Sequence, residues 1–172
     1  MTISIEAIPL PSTVTSLIDS HDKLLQALDH HLAQSIGGRT TKYDRQTSLN
    51  EQSLEKLNTL RQQIEDLLSE SEQLKSLASK IWSFGPRKYG PNLLINGVEG
   101  YHRPTIWDML DTSSESLGLR DFDSSIVNGF QLATLTGPMC DEPMRGVAFV
   151  VRAWDVSHAT PNPLGKLIKS LV

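Results

Sequence analysis

Several features that mark common classes of protein are missing from this chain of 172 residues. Its single cysteine, Cys140, excludes an internal disulfide and a cysteine-based zinc site, and nothing else indicates secretion. No apolar run approaches the roughly 18 residues that a membrane span needs, and no N-terminal signal pattern is present. Because the formal net charge is −4, any phosphate contact has to come from a local basic patch. We expect a soluble, cytoplasmic, monomeric domain.

Motifs for catalysis and nucleotide binding are missing as well. The nearest candidate for a phosphate-binding loop, Gly165-Lys166, lacks the upstream glycine and the hydroxyl residue that would hold magnesium. Neither a Gly-x-Ser-x-Gly elbow nor a His-Glu-x-x-His pair occurs, and the adjacent His30 and His31 would point about 100° apart on a helix. Cys140 precedes two acidic residues, which disfavour a thiolate. The sequence predicts no catalytic residue, no cofactor-binding residue and no metal ligand in this chain.

The chain is organised around residues 81–96, where two short apolar runs are joined by a turn rich in glycine and proline. Strict alternation along the first run puts Trp82 and Phe84 on one face and Ile81 and Ser83 on the other. The second run is apolar on both faces, as in a buried strand. Two Gly-Pro breaks force the chain to turn between the runs. We therefore predict a hairpin-like corner.

Two long helices are predicted before this corner. Apolar residues recur at helical spacing from Ser12, the predicted cap, to a pair of glycines. They recur again from a capping box at Ser48 and Glu51 to Ala78. Each helix has one apolar stripe to bury, so we expect residues 12–79 to form an antiparallel helical hairpin.

Strands are predicted near both ends of the chain. Residues 2–8 alternate between apolar and polar and then meet two prolines, which is typical of an edge strand. Residues 146–154 give the strongest strand pattern. There we expect Phe149 and Val151 to face the helices and Trp154 to lie on the opposite side or at the edge.

The segment between the corner and the last strand is predicted to be a long loop followed by a helix. Residues 97–120 are irregular, with Trp107 and Leu110 as anchors. A third helix is predicted with Asp123 or Ser124 as its cap, and capping explains Asp123 better than an acid pair with Asp121 does. Its apolar face, which includes Ala133, should lie on the sheet.

Basic residues fall at predicted strand ends and turns, where a small sheet domain would gather them at its rim. These residues are Arg87, Lys88, Arg145, Arg152, Lys166 and Lys169, and all of them except Arg152 are the candidates for a phosphate contact. Solubilising charge is the alternative interpretation, and it stays open. The aromatic residues Trp82, Phe84 and Phe149 are predicted to belong to the core and not to a base-stacking platform.

Four sequence blocks follow one another between residues 80 and 147. They are KIWSFGP at 80–86, GPNLL at 90–94, SSIVNGFQLAT at 124–134 and GPMCDEPMRGV at 137–147. Together they resemble the fourth domain of the elongation factor 2 family, and most closely its elongation-factor-like GTPases of ribosome assembly. The resemblance implies an α+β, two-layer fold of the ribosomal protein S5 domain 2 type, in which helices cover one face of a small mixed sheet. The helical hairpin over 12–79 would be an insertion within a single domain, 1–172.

The resemblance also implies a function. Translocating members of this family carry a His-Arg-Gly-Gly-Gly-Gln loop, whereas residues 161–166 here keep only Gly165 of its glycines, which favours the assembly type. The implied role is a ribosome-contacting domain in cytoplasmic maturation of the large ribosomal subunit. The parent GTPase would act with the Shwachman-Bodian-Diamond protein to release anti-association initiation factor 6. GTP and magnesium would bind an N-terminal domain outside this chain, and the five rim cations would contact the ribosome.

Two alternatives stay open at this point. The first is that the chain is a fragment of a divergent elongation factor 2 that acts in translocation. The second, from another class of function, is a protein-binding helical hairpin on an inert scaffold. In that case polar helix positions such as Arg61, Glu65 and Glu72 would control partner binding instead of the rim cations.

Overall fold

A computed structural model describes residues 2–37, 49–101, 103–108, 123–138 and 141–155. The elements in chain order are β1 (Thr2–Pro9), α1 (Ser12–Ser20), α2 (Asp22–Gly37), α3 (Glu51–Ser69), a 3₁₀ helix (Lys75–Leu77), β2 (Ile81–Gly85), β3 (Asn92–Asn96), α4 (Asp123–Leu135) and β4 (Val147–Asp155). Some predictions fall outside the described residues, namely those on Ser48, Leu110, Asp121, Cys140, Lys166 and Lys169 and on the loop at 161–166.

The described strands form one mixed sheet in the order β1-β4-β3-β2. β1 and β4 are antiparallel, β4 and β3 are parallel, and β3 and β2 are antiparallel. Parallel neighbours need a crossover connection, and α4 lies on the chain between β3 and β4. The predicted α+β class, the mixed sheet, the corner of β2 and β3 and the edge position of β1 are all confirmed.

Helices cover both faces of this sheet. Leu93 and Ile95 of β3 pack with buried residues of α1, α2 and α3, whereas Leu94 between them packs with Ile126 and Phe130 of α4. Because side chains alternate along a strand, one fully buried strand serves two separate apolar clusters. The predicted arrangement with helices on one face only is therefore wrong. The S5 domain 2-like topology and the insertion within one domain stay predictions.

The first long predicted helix is split in two, and the second ends earlier than expected. The first is interrupted at His21, whose N–H donates to Ile18 O at 3.0 Å. Beside it, Ser20 Oγ donates to Leu17 O at 2.8 Å. Such local bonds offer the backbone an alternative to the next helical turn, and apolar periodicity does not reveal them. The second helix ends at Ser69 and is followed by a turn and the 3₁₀ helix.

The helix caps also differ from the predicted ones. Pro11 occupies the cap position of α1, and Ser12 is its first helical residue. Asn50 caps α3, with its Oδ1 accepting from the Ser53 N–H at 2.8 Å. The predicted capping box placed the cap two positions too early, so Glu51 stands in the first turn instead. Its negative charge is still favourable there because of the helix dipole.

A β-bulge in β2 overturns the predicted alternation. The register of β2 against β3 shifts between Ile81 and Ser83. Trp82 consequently packs in the cluster under α4, while Ile81 and Phe84 both pack in the cluster with α1, α2 and α3. A bulge adds one residue to a strand and reverses the side-chain pattern beyond it, so the prediction that Phe84 lies beside Trp82 is wrong.

A second register shift changes the end of β4. It lies between Ser4 and Ile5 of the partner strand β1. Trp154 therefore packs with Phe149 in the cluster under α4. It was expected on the opposite side of the sheet or at its edge. Arg152, at the irregularity, is exposed and its Nε donates to Glu6 Oε2 at 2.6 Å.

The described part of the segment after β3, residues 97–101 and 103–108, and the helix α4 are close to the prediction. Trp107 anchors the loop as expected, since it is 2% exposed and its ring packs edge-on against Phe84 at 5.9 Å. α4 begins at the predicted residue and buries Phe130 and Thr134. Ala133 is exposed, contrary to the prediction.

Candidate functional site

The predicted basic rim is built around Asn92, a fully buried residue at the start of β3. Its Nδ2 donates to Gly85 O at 2.9 Å and to Met144 O at 2.7 Å. Its Oδ1 accepts from the Val147 N–H at 3.0 Å. One amide thereby joins the end of β2, the start of β3 and the segment before β4. The turn that carries Arg87 and Lys88 and the segment that carries Arg145 therefore lie at the same end of the sheet.

The cations at this end differ in their electrostatic partners. Lys88 Nζ lies 3.1 Å from Asp29 Oδ1 on α2, and Arg145 forms an ion pair with Asp19 on α1. Arg87 is exposed and has no ion partner within the described part of the chain. The structure thus brings three of the five predicted contact residues to one end of the sheet, and two of these three are partly neutralised.

The turn that presents Arg87 has an uncommon backbone. Arg87 and Lys88 both have positive φ, at 59° and 66°, although neither is glycine. Such conformations are uncommon for residues with a side chain and persist when neighbours hold them in place. One neighbour is Gln131 of α4, whose Oε1 accepts from the Lys88 N–H at 2.8 Å. Another is Gly90, where an added Cβ would lie 2.5 Å from Pro86 Cδ.

Gln131 also fastens α4 to β2. Its Nε2 donates to Ser83 Oγ at 3.0 Å and to Phe84 O at 2.7 Å. The side chain therefore connects three elements, namely the helix, the strand and the turn. Gln131 lies in one of the four family blocks, but no role was predicted for it, because a helical pattern does not reveal which strand a side chain contacts.

A second cluster of polar residues lies on the sheet face under α4, around Arg103 and Asp123. Arg103 Nε is 3.6 Å from Asp123 Oδ2, and the two side chains are 7% and 2% exposed. Tyr101 Oη donates to Asp123 Oδ1 at 2.6 Å. The guanidinium carbon lies 4.9 Å from the centre of the Trp82 ring. This arrangement pins the loop after β3 to the first turn of α4.

Burial lowers the pKa of the Arg103 guanidinium from its ordinary value, and the nearby Asp123 carboxylate and Tyr101 partly offset that effect. Arg103 Nε and Nη1 are buried without a hydrogen-bond partner. The counter-charge of Asp123 and the face of Trp82 are therefore the main compensation for the buried cation. No sequence pattern predicted this pair, since Asp123 fitted a helix cap and Arg103 lay in an irregular stretch.

The aromatic residues behave as core residues. Trp82 and Phe84 are 2% and 0% exposed, and Phe149 is partly buried against Phe130 with ring centres 5.7 Å apart. The prediction that they belong to the core is confirmed. On α3, Arg61 and Glu65 form an ion pair at 2.9 Å, and Glu72 is exposed in the turn that follows the helix.

A metal-binding cluster and a membrane-spanning helix are both missing from the described residues. Within residues 2–37, 49–101, 103–108, 123–138 and 141–155, no group of three or more histidine, cysteine, aspartate or glutamate side chains is placed to hold a metal ion. None of the helices in those ranges is both long enough and apolar enough to cross a membrane. What the geometry supplies is a turn of fixed shape that carries an exposed arginine.

Comparison with known proteins gives consistent relatives. A family model described as the Elongation factor-like GTPase 1-like domain matches residues 6–97, which is more than half of the chain. Elongation factor-like GTPase 1 of Homo sapiens is 36% identical over 169 residues, covering 98% of this chain and 15% of that protein. Ribosome assembly protein 1 of Schizosaccharomyces pombe is 27% identical over 163 residues, covering 91% of this chain and 16% of that protein.

A further relative has a different name. The 110 kDa U5 small nuclear ribonucleoprotein component CLO of Arabidopsis thaliana is 37% identical over 87 residues, which cover 51% of this chain and 7% of that protein. The chain spans only about 15% of the length of the human relative. The predicted resemblance is confirmed, and the chain belongs to the family of Elongation factor-like GTPase 1-like domains, within the elongation factor 2 family of GTPases.

Proposed function

We propose that this chain is the ribosome-contacting domain of an elongation factor 2-like GTPase in cytoplasmic maturation of the large ribosomal subunit. The observation that carries the proposal is the similarity over 98% of the chain to a protein named Elongation factor-like GTPase 1. The name of the fission yeast relative, Ribosome assembly protein 1, points in the same direction. The domain corresponds in this proposal to the fourth domain of elongation factor 2.

The proposed role is mechanical and not catalytic. GTP and magnesium bind an N-terminal domain of the parent protein, and this domain transmits the GTP-driven motion to the subunit. With the Shwachman-Bodian-Diamond protein as its partner, the parent GTPase promotes release of initiation factor 6. A rigid body suits this role, and the packing of helices on both faces of the sheet supplies that rigidity.

We assign the main phosphate contact to Arg87. It is exposed and lacks an ion partner in the described part of the chain, whereas Lys88 and Arg145 already pair with Asp29 and Asp19. A phosphate would have to displace these carboxylates before it could gain the second and third cation. Residues held in sparsely populated backbone conformations often lie at functional sites, and Arg87 stands in such a turn.

Co-sedimentation of the full chain with purified large ribosomal subunits tests this function. The assay is run across a salt series, with and without bound initiation factor 6. Each phosphate contact adds about 0.7–0.9 to the slope of log affinity against log salt. We expect saturable binding at low salt that weakens as salt rises, and a smaller slope for Arg87→Glu. Arg152→Glu, which alters a cation paired with Glu6 elsewhere on the sheet, is the matched control.

Two results would contradict this proposal. Equal loss of binding in Arg87→Glu and Arg152→Glu would mean that net charge, and not the turn, governs the contact. An absence of binding at low salt would argue against a ribosome contact by this domain. If binding to a protein partner then depended on Arg61 or Glu65, the helical-hairpin interpretation would replace the ribosomal one.

A further inference from the structure

A side chain of α4 fixes the backbone of the turn that carries Arg87. The Lys88 N–H donates to Gln131 Oε1 at 2.8 Å. This N–H belongs to the peptide bond between Arg87 and Lys88, and the peptide unit is planar. The hydrogen bond therefore sets the direction of that plane, and with it the ψ angle of Arg87 and the φ angle of Lys88.

α4 is a firm support for this hydrogen bond. The other end of the Gln131 amide donates to Phe84 O at 2.7 Å. The next residue, Gly85, ends β2, and an added Cβ there would lie 2.5 Å from Phe130 Cε1 and 2.9 Å from Thr134 Oγ1. The helix thus packs directly on the strand backbone, immediately before the turn begins. Because both amide groups of Gln131 are engaged, its side chain has little freedom to move.

The turn needs such a support. Arg87 and Lys88 have φ angles of 59° and 66°, and a side chain makes this left-handed conformation unfavourable because Cβ comes close to the following carbonyl oxygen. Without the bond to Gln131, other turn conformations become populated, and only a fraction of molecules presents Arg87 in the same place. The apparent affinity for a phosphate at that place falls in proportion to that fraction.

We propose that Gln131 is a positioning residue for the phosphate contact of Arg87. The inference rests on the ribosome contact proposed above. Gln131 acts through the peptide bond between Arg87 and Lys88 and not by touching the phosphate. The net contribution of one hydrogen bond corresponds to about a fivefold change in an equilibrium constant. Loss of the Gln131 side chain should therefore weaken binding to the large subunit about fivefold.

NMR of the unbound full chain tests the effect on the turn. A residue with positive φ gives a strong NOE between its own amide and α protons, because they lie close together in that conformation. We expect strong NOEs for Arg87 and Lys88 in the parent chain. They should persist in Gln131→Glu, which keeps an oxygen acceptor for the Lys88 N–H, and weaken in Gln131→Met, which has none. Thr134→Val, in the next turn of α4, is the control and should leave them strong.

Co-sedimentation with large ribosomal subunits at one low salt concentration tests the effect on binding. All variants are compared at a temperature where circular dichroism shows them folded. Gln131→Met should bind about fivefold more weakly than the parent, and Thr134→Val should bind as the parent does. In a chain that already carries Arg87→Ala, Gln131→Met should cause no further loss, because its effect passes through Arg87.

The outcomes separate this inference from the proposed function. If Arg87→Glu weakens binding and Gln131→Met does not, the ribosome contact stands and the positioning role is overturned. Independent, additive losses for Arg87→Ala and Gln131→Met would also overturn it, as would unchanged NOEs in Gln131→Met. If the parent chain does not bind, or if Arg87→Glu binds as the parent does, the proposed contact fails and the positioning role fails with it.

Discussion

The buried pair of Arg103 and Asp123 provides the sharpest test of how this fold is held together. Asp123→Asn keeps the size and the planar shape of the side chain but removes its charge. The guanidinium then stays in a site where its side chain is 7% exposed, and its remaining partner is the face of Trp82. The hydrogen bond from Tyr101 Oη can persist, because the asparagine oxygen also accepts.

The expected cost follows from the burial of the pair. Removing one partner of a buried ion pair typically costs about 3–5 kcal/mol, because the other charge is left uncompensated. Adding Arg103→Met removes that charge and fills a similar volume, so the double variant should recover most of the loss. Asp19→Asn is the control, since Asp19 and its partner Arg145 are 38% and 61% exposed and such pairs contribute at most about 1 kcal/mol.

Urea unfolding, followed by tryptophan fluorescence and by circular dichroism, gives the free energies of unfolding for the four proteins. Raising the salt concentration to about 1 M should reduce the effect of Asp19→Asn and leave that of Asp123→Asn nearly unchanged, because buried charges are poorly screened. Our reasoning is refuted if Asp123→Asn costs no more than Asp19→Asn. It is refuted equally if the double variant is less stable than Asp123→Asn alone.

Three further predictions concern packing, and thermal unfolding followed by circular dichroism checks each. Gln131→Ala should cost about 1–3 kcal/mol, because it removes three hydrogen bonds that join α4 to β2 and to the turn after it; a neutral result would contradict this role of Gln131. Gly90→Ala should cost about 1–3 kcal/mol, because its Cβ would clash with Pro86. Ile64→Ala, fully buried in α3, should cost about 2–5 kcal/mol, whereas the 38% exposed Leu54→Ala should cost far less; equal costs would contradict a core role for α3.

Local sequence patterns located most of the elements correctly. β1, β2, β3, β4 and α4 lie where apolar periodicity and the Gly/Pro breaks predicted them. Arg87, Lys88 and Arg145 lie at one end of the sheet, as their predicted positions at strand ends and turns implied, whereas Arg152 lies farther along β4 and pairs with Glu6. These features depend on neighbours within a few residues along the chain, and such neighbours are visible in the sequence.

Contacts between distant segments decided the rest. Nothing near Trp82 in the sequence indicates a bulge, because the bulge follows from the register against β3. Nothing near Arg103 indicates that Asp123, about 20 residues later in the sequence, supplies its counter-charge.

The sequence by itself determined the family, through four ordered blocks. It also determined the spacing of apolar residues along the strands and helices. Only the tertiary structure decided that helices occupy both faces of the sheet, and that Lys88 and Arg145 are paired while Arg87 is not. The physical reason is that local periodicity records which side chains must be buried, whereas their partners are chosen by packing and charge across the whole fold.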